Sequence, residues 1–148
     1  MKITLLVVGK TTDVHIETLI QEYQKRLAHY IPFALQVIPE LKNTKSLTSE
    51  QQKQAEGELI LRQITPSTDM ILLDERGKEY RSIEYAEYLQ KKMSSGRDVV
   101  FVVGGPYGFS QAKLVISEMA DALSLDLVLR KLVADQIVLT IGYDISNK

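Results

Sequence analysis

Two short stretches of the chain bring together residue types able to hold a ligand: Leu73-Asp74-Glu75-Arg76-Gly77 and Gly104-Gly105-Pro106-Tyr107-Gly108. Each follows an apolar run, Met70 to Leu73 in the first case and Val99 to Val103 in the second. Both runs are short and unbroken enough to be strands buried on both faces of a parallel sheet. Where such a strand empties into glycines, the missing side chains let backbone amides approach a ligand closely. Ser110, just beyond the second stretch, is suited to cap a helix. If the two strands are neighbours, their exits form one crevice at the carboxyl edge of the sheet, a place for a nucleotide-like ligand. One glycine turn alone is as readily structural as functional; the two together favour a site.

The chemistry of that crevice is narrowed by what the chain lacks. There is no GxGxxG fingerprint, no GxxxxGK[ST] loop and no GxSxG elbow, so hydride transfer, ATP hydrolysis and serine hydrolysis lose their usual sequence support. Asp74 and Glu75 are adjacent carboxylates that suit a base or a ribose or ammonium contact, although an acidic pair after a strand is more often a turn device. His15 and His29 fall on one predicted helix, too far apart to form a site. With two histidines and no cysteine, no structural zinc site and no disulfide framework are expected. No residue stands out as a general base, so the catalytic residues stay unassigned.

The elements that must position the crevice follow from periodicity. Residues 3 to 8 read as a first strand ended by Gly9. After Asp13, the residues Ile16, Leu19, Ile20, Tyr23, Leu27 and Tyr30 recur at helical spacing, and Pro32 ends that helix. Phe33 to Ile38 reads as a second strand closed by Pro39, and Glu40 to Leu47 as an exposed loop. Thr48 and Gln51 have capping-box spacing for a helix running through Glu56, Leu59, Ile60 and Ile64, with Pro66 as its stop. After the third strand, Asp74 to Gly77 form a turn, and Ser82 caps a helix ended by Ser94, Ser95 and Gly96. A fourth helix is expected from Ser110 to about Asp121 and a strand from Leu123 to Leu129. Arg130 to Leu139 suits a helix or, through its β-branched end, a strand.

This alternation predicts an α/β fold with a parallel sheet covered on both faces. A length of 148 residues, 45% of them apolar, predicts one domain over 1–148. The net charge of -1 requires any RNA binding to use local patches, Lys42 with Lys45 or Arg76, Lys78 and Arg81, which are otherwise ordinary surface charges. The first ten residues read as a strand and not a signal peptide, no run is long enough to span a membrane, and the lack of cysteine fits a reducing cytoplasm.

Four segments carry a family resemblance: MKITLLVVGK at the start, AEGELIL at Ala55 to Leu61, LLDERGKEYRS at Leu72 to Ser82 and FVVGGPYGFS at Phe101 to Ser110. In order and in register over the first three-quarters of the chain, they resemble the bacterial 23S ribosomal RNA pseudouridine-N3 methyltransferases, small members of the SPOUT class. The resemblance implies a single-domain parallel-sheet sandwich of SPOUT type with a C-terminal trefoil knot. It also implies a homodimer, S-adenosylmethionine as cofactor, and methylation of RNA in the ribosome. Carried over by motif, Leu73, Gly104 and Leu125 would contact the cofactor, with Gly105 shaping the same wall.

The last quarter departs from the family pattern. Where the family follows its Ser-Leu-Ser segment with Met-Thr and a His, this chain has Leu123-Ser124-Leu125-Asp126 and then Leu127-Val128-Leu129-Arg130. Arg130 and Asp135-Gln136 keep the separation of the family's Arg and Glu-Gln, but the terminal Pro-Tyr-His gives way to GYDISNK. An unknotted version of the same sheet is therefore the alternative to the knot, knots being rare. A noncatalytic or engineered SPOUT-like domain is the alternative to the enzyme.

Overall fold

In a computed structural model, the described residues are 1–74, 77–105, 107 and 120–124. They form five parallel strands and three α-helices. The strands are β1 (Ile3–Val8), β2 (Phe33–Ile38), β3 (Thr68–Asp74), β4 (Asp98–Val103) and β5 (Ala120–Ser124), in the order β2-β1-β4-β3-β5. The helices are α1 (Val14–Leu27), α2 (Ser49–Leu61) and α3 (Ser82–Ser94). Adjacency of β3 and β4, the condition on which the crevice depended, is met over six registered pairs from Thr68↔Asp98 to Leu73↔Val103.

Handedness decides which face each helix covers. The β1–α1–β2 and β3–α3–β4 units both step one way along the sheet, whereas β2–α2–β3 steps the other way. Right-handed crossovers then put α1 and α3 on one face and α2 on the opposite one. The two cores match this. Ile71, Leu73, Val99 and Phe101 pack with Leu27 of α1 and Tyr85 and Leu89 of α3. The alternate residues Met70, Leu72, Val100 and Val102 pack with Ile60 of α2. Period-two alternation along β3 and β4 thus feeds two cores at once, which is why those runs are apolar without interruption.

Helix ends are set by local chemistry. The Asp13 side chain accepts from His15 N at 2.8 Å and Ile16 N at 3.1 Å, opening α1. The capping box of α2 is present in both halves, Gln51 N to Thr48 Oγ1 at 3.2 Å and Thr48 N to Gln51 Oε1 at 3.0 Å. Gly96, with φ of 69°, takes the left-handed position just past α3.

Several boundaries differ from expectation. Ser82 is the first helical residue of α3 and not its cap; Arg81 holds the cap position, and Glu84 Oε2 reaches back to Arg81 N at 2.9 Å. The carboxylate at the third helical position satisfies the N–H of the cap residue, where a capping serine would have accepted from a first-turn N–H of the helix. Asp74 belongs to β3 instead of the turn, because pairing with β5 extends to Asp74↔Ser124. β5 begins at Ala120, inside the stretch read as helix, since its span is set by its register with β3 and not by its own periodicity. The helix through Ile64 stops at Leu61, and His29 lies past the end of α1. The knot, the helix from Ser110 and the element from Arg130 lie outside the described residues.

Candidate functional site

Three strand ends meet at the carboxyl edge. Leu73 is registered with Val103 on one side and Leu123 on the other. Gly104 follows directly on β4, and the residue after β5 is Leu125, itself outside the described residues. The backbone therefore carries Leu73 and Gly104 to adjoining positions at that edge. Glu75, Arg76, Pro106 and Gly108 also lie outside the described residues. Gly77 N donates to Asp74 O at 2.9 Å, closing the turn that leaves β3.

What each predicted residue can offer differs. The Leu73 side chain is only 3% exposed and belongs to the core on the α1 and α3 face, so it supplies packing beneath the crevice instead of a wall. Gly104 and Gly105 are half-buried backbone with nothing projecting from them. On the other side of β4, β1 ends in Gly9, whose φ of 84° and N–H bond to Ile38 O at 2.8 Å turn the chain away. Two neighbouring strands thus end in glycine.

A residue absent from the predicted set lies against this turn. Glu56 of α2 is 4% exposed and is the one buried charged residue among those described. Its carboxyl group fills the space a side chain at Gly105 would take: a Cβ there would meet Oε1 at 2.6 Å and Cδ at 2.7 Å, with Oε2 nearer still. Gln52 Nε2, one turn earlier, donates to Oε1 at 3.2 Å. Oε2 has no partner. The signal was present in the sequence, because Glu56 occupies a core position of the α2 stripe, four residues before buried Ile60. A carboxylate in a buried stripe carries information that an apolar residue there does not.

Away from the crevice, Lys78, Tyr80, Glu84, Glu87, Tyr88 and Lys91 line a groove of about 320 Å³. Lys78 Nζ lies 4.5 Å from the centroid of Tyr80, whose ring is 5.4 Å from that of Tyr88. Two carboxylates balance the two lysines, so the groove carries no net basic field. Of the sequence-predicted basic groups, Lys78 and Arg81 are exposed and separate from Lys42 and Lys45 in sequence and in element. No group of three or more His, Cys, Asp or Glu that could hold a metal occurs among the described residues, and no described helix is long and apolar enough to cross a membrane.

The fold is thus a parallel α/β domain whose adjoining strands end in glycine at one edge, over a buried carboxylate, and the carboxyl edge is where open α/β sheets place their ligands. Residues 1–135 match the family model described as predicted SPOUT methyltransferase, and the chain belongs to that family. It is 50% identical over 127 residues to a Phocaeicola vulgatus protein named ribosomal RNA large subunit methyltransferase H, covering 80% of this chain and 81% of that one. Proteins of the same name from Porphyromonas gingivalis and Bacteroides fragilis are 52% identical over 126 residues and 54% over 112. Those alignments cover 84% and 75% of this chain, and 79% and 71% of the relatives.

Proposed function

We propose that the protein is an S-adenosylmethionine-dependent methyltransferase that acts on a pseudouridine of large-subunit ribosomal RNA. The observation carrying this reading is the convergence of the β3, β4 and β5 ends on one edge, with Gly104 and Gly105 leaving β4, in a chain about half identical to proteins named ribosomal RNA large subunit methyltransferase H. The donor chemistry fits the residues present. An adenosyl group needs close backbone approach and apolar support, not a phosphate cradle, and a glycine turn above the packed Leu73 offers both. When bound, the cofactor supplies an electrophilic methyl group.

The chain's own part is to align and to exclude water. Gly104 and Gly105 give their backbone as the wall, with Leu73 beneath it; Leu125, the residue that follows β5 in sequence, is the further cofactor contact the family resemblance implies. Assembly as a homodimer in the cytoplasm belongs to the same proposal. It is supported by the apolar residues that α1 leaves uncovered, Val14 at 71% and Ile16 at 51% exposed.

Calorimetry with S-adenosylmethionine on the full chain tests the reading, followed by transfer of labelled methyl to ribosomes and to free RNA. Heat of binding and transfer to ribosomes are expected. No heat at millimolar cofactor in a folded sample overturns the proposal and leaves the second reading, a noncatalytic SPOUT-like domain. That reading is favoured by the departure from the family pattern after Leu125.

A further inference from the structure

We infer that Oε2 of Glu56 is the acceptor for a protonated amine carried by the ligand that binds at the β4 exit. Glu56 of α2 is buried against Gly105, and its two oxygens are treated differently. Oε1 is anchored by Gln52 Nε2, which fixes the plane of the carboxyl group. Oε2 lies nearest Gly105, with no donor among the described residues. Leaving a buried acceptor unsatisfied is costly, more so for a charged group, and an arriving donor is one explanation for such a group. Among the described residues none donates to Oε2, Gly105 included, and Pro106, the next residue in sequence, has no N–H to give.

The chemical class of the missing donor follows from the acceptor. A carboxylate withdrawn from water is best compensated by a cationic N–H group, whose hydrogen bond is charge-assisted. Combined with the reading of the turn as a methyl-donor wall, on which this inference rests, the partner is the α-amine of the amino-acid end of S-adenosylmethionine. Glu56 would then set which end of the ligand lies toward α2. Gly105 is the position that permits it, since any side chain there would displace the carboxyl group.

The test is titration calorimetry of the full chain and of Glu56→Gln with two ligands, S-adenosylhomocysteine and its deamino analogue, in which only the amine is missing. The unaltered protein should prefer S-adenosylhomocysteine by at least about tenfold, and Glu56→Gln should lose that preference while still binding the deamino compound. Equal binding of the two ligands by the unaltered protein overturns the inference without recourse to any variant. So does a Glu56→Gln protein that keeps the preference, or one that loses both ligands equally while its circular dichroism is unchanged. Failure of the unaltered protein to bind either ligand overturns the methyl-donor reading itself, and this inference with it.

Discussion

The carboxyl group of Glu56 occupies the volume that a side chain at Gly105 would need. The two residues lie on different elements, α2 and the exit of β4, so their contact couples a helix to the end of a central strand. Gly105 has no left-handed φ, so the cost of an alanine there is steric and not a matter of backbone strain.

Gly105→Ala should therefore destabilise by about 1 to 3 kcal/mol, the usual range for overpacking. The cost should fall when Glu56 is shortened, because Glu56→Ala vacates the volume the new methyl needs. Urea unfolding of both single variants and the double variant checks this. A coupling of more than about 0.5 kcal/mol in the stabilising direction is expected, and additivity would mean that the two groups do not compete for one space.

Gly104→Val tests the wall directly. Gly104 follows the last residue of β4, at the end of the sheet and beyond its paired residues. A branched side chain there should abolish S-adenosylmethionine binding by calorimetry, with thermal unfolding shifted by no more than a few degrees. Binding retained by the variant would remove Gly104 from the site.

How much of this was legible in the sequence depends on what sets each feature. β1, β2 and β4 were readable to within a residue because their apolar runs are bounded by glycine, proline or a polar residue, and Thr48 with Gln51 marked α2 through a local hydrogen-bond pattern. The start of β5 at Ala120 was not readable, because its span comes from pairing with β3, fifty residues away at Met70↔Ala120. The same holds for the site. Glycines after strands marked the exit of β4 as the candidate site, whereas Glu56 is brought to Gly105 only by the crossover that lays α2 on that face. Likewise the stripe on α1 was visible, but its exposure was not: Leu27 is the one buried residue of that helix.

Tyr85 gives a spectroscopic check on the α3 core. It is 4% exposed, packs with Tyr80 and Tyr88, and burial pushes its phenol well above the ordinary tyrosine range. In an ultraviolet pH titration at least one of the seven tyrosines should therefore ionise only together with alkaline unfolding. In Tyr85→Phe the late fraction should shrink by one tyrosine. A titration curve unchanged apart from its total would place the late group elsewhere.

At the opposite end of the sheet, Asp69 ties three segments together, and this makes a prediction about acid. Its Oδ1 accepts from Arg97 Nε at 2.6 Å and its Oδ2 from Lys92 Nζ at 3.1 Å, while Arg97 Nη2 also reaches Pro66 O at 3.1 Å. The start of β3, the end of α3 and the loop before β4 are thereby fixed to one another. The hydrogen bond from Arg97 is the main cause that holds the Asp69 carboxyl below its ordinary value of 3.8, with Lys92 adding to it and partial burial opposing it. A carboxylate with a lowered folded pKa contributes stability that is fully present above its unfolded value and is lost as pH falls through its folded value. Asp69→Asn should therefore destabilise by about 1 kcal/mol at pH 7, given the partial exposure of all three partners. In a chain of 148 residues, that corresponds to a lowering of Tm by roughly 2 to 4 °C. Thermal unfolding of both proteins between pH 7 and the acid limit checks the sign: the gap should hold down to about pH 4 and close below it. A gap that persists unchanged in acid would mean that Asp69 acts by shape alone, with its charge contributing nothing.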